Sequence, residues 1–451
     1  MLTESSRTAP APISTGVHLS DLPYSSLGEL RGSVALPSSA TPWRRFAAFL
    51  GPGYLVATGY MDPGNWATAL AGGSQFGAAL LFVAVASSLM AMVLQALSAR
   101  LGIATGRDLA QICRDNMPGP VSVVLWLVAE GAIIATDLAE VIGTAIGLQL
   151  VLAIPLWMGV VLTGLDVILV LAFQRFGFRK LEAFVVALLV VIALAFVVQL
   201  ALAKPDIQAA LGGLVPTRDL VQNGQMLYLA LGIVGATVMP HNLFLHSGVV
   251  QTRAIGSSVA DKREAIRYAI IDSNIALAFA MLVNAAILLL AASAFHAHGR
   301  TDVAELQDAY RLIAPLLGAP MAATLFGVAL IACGLNSALT ATLAGQFVME
   351  GFLRIRLAPA ARRLLTRLIA IVPAISVTLL AGEAATGRLL IASQVVLSAA
   401  LPFAMVPLVW MTASRRIMGP LVASRMLSFA AVVIAAAIIA LNGKLIWDAV
   451  L

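Results

Sequence analysis

Two short stretches set metal-capable side chains beside helix breakers in the middle of long apolar runs: Met61-Asp62-Pro63-Gly64-Asn65 and Met239-Pro240-His241-Asn242. Asp62 offers a carboxylate, Asn65 an amide oxygen and Met239 a thioether, and the interrupted backbone near Gly59 and Ala236 offers carbonyls. Hard cations such as Mg²⁺ and Ca²⁺ favour all-oxygen shells, whereas sulfur suits softer transition metals. With a single anionic side chain, such a set can release its ion as well as bind it. These residue types point to transient binding of a divalent transition metal. Each also has a plainer role. Asp62 and Asn65 belong to a turn sequence and Asp62 could cap a helix, while a lone methionine is ordinarily core filler. A carboxylate near the bilayer centre costs roughly 2.5–3.5 kcal/mol or more on insertion scales, so Asp62 needs a compensating partner in either case.

The elements that carry these residues are membrane helices. The chain of 451 residues is 60% hydrophobic and 11% charged, with a mean hydropathy of +0.96. Soluble domains carry about 25% charged residues, and a spanning helix needs about 20 apolar ones. Apolar runs fall near 46–72, 76–99, 119–150, 156–174, 181–203, 225–250, 268–295, 319–350, 364–382, 388–412 and 426–448, so the fold class is an all-α membrane protein with eleven transmembrane helices. Continuous runs such as 184–202 exclude the alternating pattern of β-barrel strands. Of the 28 Lys and Arg residues, 22 flank the spans on the side of Met1 and 6 lie on the other side. That asymmetry predicts an integral plasma (inner) membrane protein with a cytoplasmic N-terminus and an external C-terminus, and it explains the net charge of +6 without a nucleic-acid partner.

The breaks interrupt the first and sixth runs, which therefore read as pairs of half-helices joined by unwound peptide, the first resuming at Trp66. They are five runs apart, and five is odd. The second set of five thus enters the membrane in the opposite direction, the pattern of an inverted 5+5 repeat with a midplane site. The expected organisation is a disordered cytoplasmic tail over 1–42, a first five-helix repeat over 43–203, a second over 224–412 and an eleventh helix over 424–451. Polar stretches at 101–117, 252–267 and 299–311 suit interfacial helices, and Gly143 and Gly147 suit close helix packing. Cys113 and Cys333 are not expected to pair.

A second chemistry sits on the third run. Glu130, Asp137 and Glu140 fall within about 80° of one helical face at 100° per residue. A carboxylate stripe in an apolar helix serves either structural ion pairs with arginine or proton movement. Asp166, on the fourth run, has no assigned role.

Asp62-Pro63-Gly64-Asn65 and Met239-Pro240-His241-Asn242 resemble the signatures of the Nramp family of proton-coupled divalent metal transporters, in its bacterial manganese/iron branch. The similarity extends through Leu97 to Gly106, Ala135 to Glu140 and Ser393 to Ser398, and covers essentially everything after residue 43. The resemblance implies a LeuT-like fold carrying Mn²⁺ and Fe²⁺ inward with protons. Asp62, Asn65 and Met239 would be side-chain ligands and Ala236 and Gly59 carbonyl ligands, with Gln394 joining as the site occludes. Some relatives carry alanine where this chain has Gly59, to which a backbone ligand is indifferent; relatives specialised for magnesium lose the methionine. The implied proton route runs from Asp62 past His241 to Glu130, Asp137 and Glu140 and ends near Arg362 and Arg363. His241 could equally be a satisfied core histidine.

Rival readings are weaker on the residues themselves. An amino-acid symporter of the same architecture would place its substrate carboxylate against Asp62, and an intramembrane zinc enzyme would need a pattern that His241 and His246, five apart, do not make. No ATP-binding motif is present, so the chain is read as a secondary transporter and not an enzyme. Its partners are metal ions, protons and membrane lipids, with no prosthetic group and no obligate protein partner. A passive channel stays open as an alternative.

Overall fold

In the computed structural model, residues 26–27, 30–36, 41–165, 178–355, 359–380 and 385–450 are described. They form a helical bundle. The first half comprises α1 (Pro42–Phe49), α2 (Pro52–Ala57), α3 (Pro63–Phe76), α4 (Leu81–Thr105), α5 (Leu109–Asn116), α6 (Gly119–Leu152), α7 (Leu156–Thr163) and α8 (Phe178–Ala203). After two short helices at Ile207–Gly212 and Asp219–Gln222 come α9 (Gly224–Thr237), α10 (Pro240–Val249), α11 (Val259–Ala294), α12 (Leu306–Leu317), α13 (Pro320–Leu353), α14 (Pro359–Leu380), α15 (Thr386–Ala413) and α16 (Arg425–Val450).

Among the described residues, eight helical stretches are long and apolar enough to cross a membrane. The first and second expected runs merge in one of them, Pro63–Thr105. The fourth is described only as far as 165, and Asp166 lies outside the described residues. The ninth is α14, whose apolar part is the shorter Leu368–Val377.

Both breaks are tighter than unwound peptide. A 3-10 turn, Thr58–Met61, continues α2 directly, and only Asp62 is extended, at φ −67° and ψ 166°, before α3 begins at Pro63 rather than at Trp66. A proline in the first turn of a helix lacks only an N–H that would have had no partner there, so Pro63 starts the helix where the sequence suggested it would prolong the gap. At the second break, Val238 and Met239 leave helical geometry and Pro240 starts α10 in the same way. Glycine lets neighbours approach: a Cβ on Gly143 would meet Pro63 Cβ at 2.1 Å, and one on Gly147 would meet Ile331 Cγ1 at 2.8 Å. Three residues further along α3, Trp66 makes edge contacts with Phe196 of α8 at 4.7 Å and Phe326 of α13 at 5.2 Å.

The end of the bundle that carries α1 is closed by charge. The backbone N–H groups of Gly51 and Gly53, which open α2, donate to Asp272 Oδ2 at 3.3 and 2.7 Å. Arg253, 2% exposed, donates through Nε to the Phe49 carbonyl at 3.0 Å and through Nη2 to the Leu50 carbonyl at 2.7 Å and to Glu182 Oε1 at 2.8 Å. Free helix-start N–H groups and free carbonyls at the junction of α1 and α2 are thus satisfied from α8, α11 and the segment after α10. Gly51 is required here, because its φ of +139° and the approach of Glu182 exclude a side chain.

Residues 26–27 and 30–36 of the N-terminal stretch lie against the bundle. Val34 makes a parallel bridge to Arg253, with Val34 N–H donating to the Thr252 carbonyl and Ala254 N–H to the Val34 carbonyl, both at 2.9 Å. The Leu27 N–H donates to Glu350 Oε2 at 2.9 Å. Leu27 and Val34 are buried, and that burial with backbone pairing holds these residues on the bundle. The polar stretch at 101–117 contributes α5, 299–311 enters α12, and 252–267 passes through a 3-10 turn into α11. Cys113 and Cys333 are both free and buried.

Asp108 begins α5 with a reciprocal cap, its Oδ1 accepting from Gln111 N–H at 2.9 Å while Gln111 Oε1 accepts from Asp108 N–H at 3.2 Å. Burial pushes its carboxyl up to about 6, partly offset by the Gln111 hydrogen bond and by Arg114. The folded protein therefore holds this proton to higher pH than the unfolded chain does. The associated stability is full below about pH 4 and is lost as pH rises through about 6, roughly 2–3 kcal/mol in total. An asparagine at this position would cap equally well without titrating. In thermal melts of detergent-purified protein, the melting temperature of wild type relative to D108N should fall between about pH 4.5 and 7. A gap that does not move with pH would refute the assignment.

Candidate metal site at the helix breaks

The two breaks meet inside the bundle. Asp62, Asn65, Ala236, Met239 and Gln394 are each at most 3% exposed, so the crossing is shut off from both ends. Asp62 does cap α3, but with one oxygen: Oδ1 accepts from the Asn65 N–H at 2.8 Å and from Asn65 Nδ2 at 2.9 Å. Asn65 Nδ2 also donates to the Ala236 carbonyl at 2.8 Å, across to the end of α9. The amide nitrogen thus bridges a carboxylate and a backbone carbonyl from the two broken helices. A cation placed there would meet the same two oxygens, and rotating the Asn65 amide would turn its own oxygen towards the ion.

The surroundings are rich in acceptors. Asp62 Oδ2, Asn242 Oδ1, Asn284 Oδ1 and Gln394 Oε1 are buried without a hydrogen-bond donor. Each of these residues lies on or against a break, and leaving such groups unsatisfied costs about 1–3 kcal/mol each and more for a charge, a cost that a bound cation would offset. Met239 sits at the N-terminal boundary of α10, where its sulfur accepts from Asn242 Nδ2 at 3.7 Å. A Cβ on Gly59 would lie 2.3 Å from that same Nδ2, which places Gly59, Asn242 and Met239 side by side.

Gln394, from α15, is wedged between both broken helices: a Cβ on Gly64 would lie 2.0 Å from its Nε2, and one on Gly235 would lie 1.9 Å from its carbonyl oxygen. Its Nε2 donates to Ser393 Oγ at 3.0 Å. Among the described residues, no three His, Cys, Asp or Glu side chains converge as a resident metal cluster would.

The α6 carboxylates divide. Asp137 and Glu140 are fully buried, whereas Glu130 is half-buried and accepts from the Trp126 indole at 3.3 Å. His241 Nδ1 lies 3.3 Å from Thr136 Oγ1 of α6 rather than against a carboxylate of the stripe, although Asp137 acts on it electrostatically. The side chains of Arg362 and Arg363 lie outside the described residues.

Other polar groups at the crossing were not singled out by sequence reasoning. Gln95 Nε2 donates to Tyr60 Oη at 2.6 Å and Gln95 Oε1 lies 2.9 Å from His246 Nδ1. Asn284 Nδ2 donates to the Tyr60 carbonyl at 2.8 Å, and Cys333 Sγ donates to the Met61 carbonyl at 2.6 Å. The available signal was the presence of amides, Gln95 and Asn284, inside apolar helices.

A bundle of membrane-length helices whose two broken members enclose a buried, acceptor-rich crossing defines a membrane transport protein of the broken-helix, LeuT-like class. Comparison with known proteins gives the family: a model described as natural resistance-associated macrophage protein-like (Nramp) matches residues 53–448, and the chain belongs to the Nramp family. The divalent metal cation transporter MntH of Agrobacterium fabrum is 60% identical over 423 residues, spanning 94% of this chain and 92% of its own. The protein of the same name from Xanthomonas campestris is 60% identical over 422 residues, spanning 94% and 95%. Among solved structures, the Eremococcus coleocola manganese transporter superposes with a TM-score of 0.82 at 38% identity, over 94% of this chain and 99% of that one. Inward-facing Mhp1, at 14% identity and a TM-score of 0.57 over 89% of this chain and 91% of that one, shares the fold.

Proposed function

We propose that this protein imports divalent transition-metal ions, Mn²⁺ and Fe²⁺, into the cytoplasm by alternating access coupled to protons, from a plasma or inner membrane with its N-terminus inside and C-terminus outside. The observation that carries this reading is the Asn65 amide that ties the Asp62 carboxylate to the Ala236 carbonyl across the two breaks, with Asp62 Oδ2 buried beside it without a donor. The substrate shell would be Asp62, Asn65, Met239 and the Ala236 carbonyl, with Gly59 and Gln394 joining according to the state of the gates. Tilting of α2 and α10 would open the site to the cytoplasm once Asp272 and Arg253 release the start of α2. The curated relatives named as divalent metal cation transporters, and the manganese transporter of the same fold, support the substrate class.

The proton would leave Asp62 as the ion arrives. Two routes towards the α6 carboxylates are supported by geometry: through His241 to Thr136, the neighbour of Asp137 in sequence, or past Cys333, which donates to the Met61 carbonyl beside Asp62. Glu130 would continue the stripe along α6 and Arg362 and Arg363 would end it. The domain reading, with repeats over 43–203 and 224–412 and an added helix over 424–451, fits the pairing of α2–α3 with α9–α10.

Uptake into proteoliposomes carrying an internal pH dye tests the whole reading. Mn²⁺ should drive internal acidification; Mn²⁺ flux without any proton movement would remove the coupling. For M239A, Mn²⁺ uptake should persist while exclusion of Ca²⁺ or Mg²⁺ weakens by roughly tenfold or more, since the remaining shell is all oxygen. Discrimination identical to wild type would remove the thioether from the selectivity argument.

A further inference from the structure

At the same end of the bundle as α1, but away from the helix breaks, lies a cavity of about 410 Å³ between the end of α4, the start of α11 and the link into α16. Arg100, Arg263 and Arg267 line it together with apolar residues that include Ile266, Ile270 and Leu421, and no acidic residue contributes to its wall. Arg100 is fixed there, its Nη1 donating to the Leu421 and Val422 carbonyls at 3.2 and 3.4 Å, while its Nε–H is buried without an acceptor. Arg263 and Arg267 are exposed, and neither makes an ion pair among the described residues. Nearby Glu264 is engaged with Arg45 at 2.7 Å and does not neutralise them.

We propose that this cavity binds the phosphate of an anionic phospholipid, with the acyl chains running along α11. The apolar continuation argues for a lipid over free phosphate. Arg263, Arg267, Ile271, Ile275 and Leu282 fall within about 120° of one face of α11, and Ile275 and Leu282 are 48% and 65% exposed on the membrane surface. One stripe therefore passes from guanidinium groups at the cavity to bare aliphatic surface in the hydrocarbon region, the profile of a phospholipid. Basic pockets between helices at the membrane boundary suit anionic headgroups, and each arginine near the surface contributes enough that two of them separate charged from zwitterionic lipid by roughly thirtyfold.

Native mass spectrometry of the full-length protein, titrated with phosphatidylglycerol and with phosphatidylcholine of identical acyl chains, tests this. Wild type should bind its first phosphatidylglycerol roughly thirtyfold more tightly than phosphatidylcholine, and the R263Q/R267Q double variant should bind both nearly equally. The R415Q/R416Q variant removes two exposed arginines outside the cavity and should keep the preference. Three results would overturn the site: an unchanged preference in R263Q/R267Q, an equal loss in R415Q/R416Q, or displacement of the lipid by excess inorganic phosphate. The readout involves no metal, so it stands or falls separately from the transport reading.

Discussion

Replacing Asp62 with asparagine is expected to lower Mn²⁺ uptake into proteoliposomes roughly a hundredfold or more while leaving the protein folded. The two halves of that expectation come from the two oxygens. Oδ1 caps α3 through the Asn65 N–H, and asparagine caps a helix about as well as aspartate. Oδ2 has no donor, so its charge stabilises nothing in the resting fold and is costly in a membrane interior. D62N should therefore match or exceed wild type in thermal stability while losing the anionic ligand. D62A should lose the cap as well, at about 0.5–2 kcal/mol. Uptake by D62N at the wild-type level would sink the site assignment. A D62N protein that fails to fold would show instead that the carboxylate is structural.

The second large effect is steric. In G235A the new methyl group would lie 1.9 Å from the Gln394 carbonyl oxygen and 2.6 Å from the Ser398 nitrogen, both backbone atoms of α15. Neither can swing aside, so α9 and α15 must separate, at about 3 kcal/mol or more. The expected result is a large drop in melting temperature together with loss of uptake, because Gln394 and the Ala236 carbonyl move with those helices. G59A is the contrast: its methyl meets the Nδ2 end of the Asn242 side chain at 2.3 Å, a group that can rotate. It should fold normally, with any change confined to transport. Equal stability of G235A and wild type, measured by fluorescence size-exclusion melts, would show that the helix contact is looser than the structure indicates.

Much of this protein follows from the chain alone. Composition and apolar run length dictate helices in a membrane, because lipid tolerates only backbone that is fully paired in helices or closed barrels, and continuous apolar runs do not suit barrel strands. Asp62, Asn65 and Met239 stand out beside prolines in apolar runs for the same reason: a breaker or a charge there needs compensation. The form of the breaks was not legible. Proline interrupts a helix and also starts one, and only the fold shows that Pro63 and Pro240 do the latter.

What tertiary structure decided are contacts between residues far apart in sequence. Gln394 is implied by the family resemblance alone, and its place against Gly64 and Gly235 comes only from the fold. Arg253 and Glu182 read as separate flanking charges until they meet at Gly51. The placing of Leu27 and Val34 on the bundle depends on the backbone of 251–254 and on Glu350. Helical periodicity tells which residues share a face, but not which helix that face will meet; the partner is set by packing of the whole bundle. The two breaks announce a site in the sequence, and the fold supplies the rest of its wall.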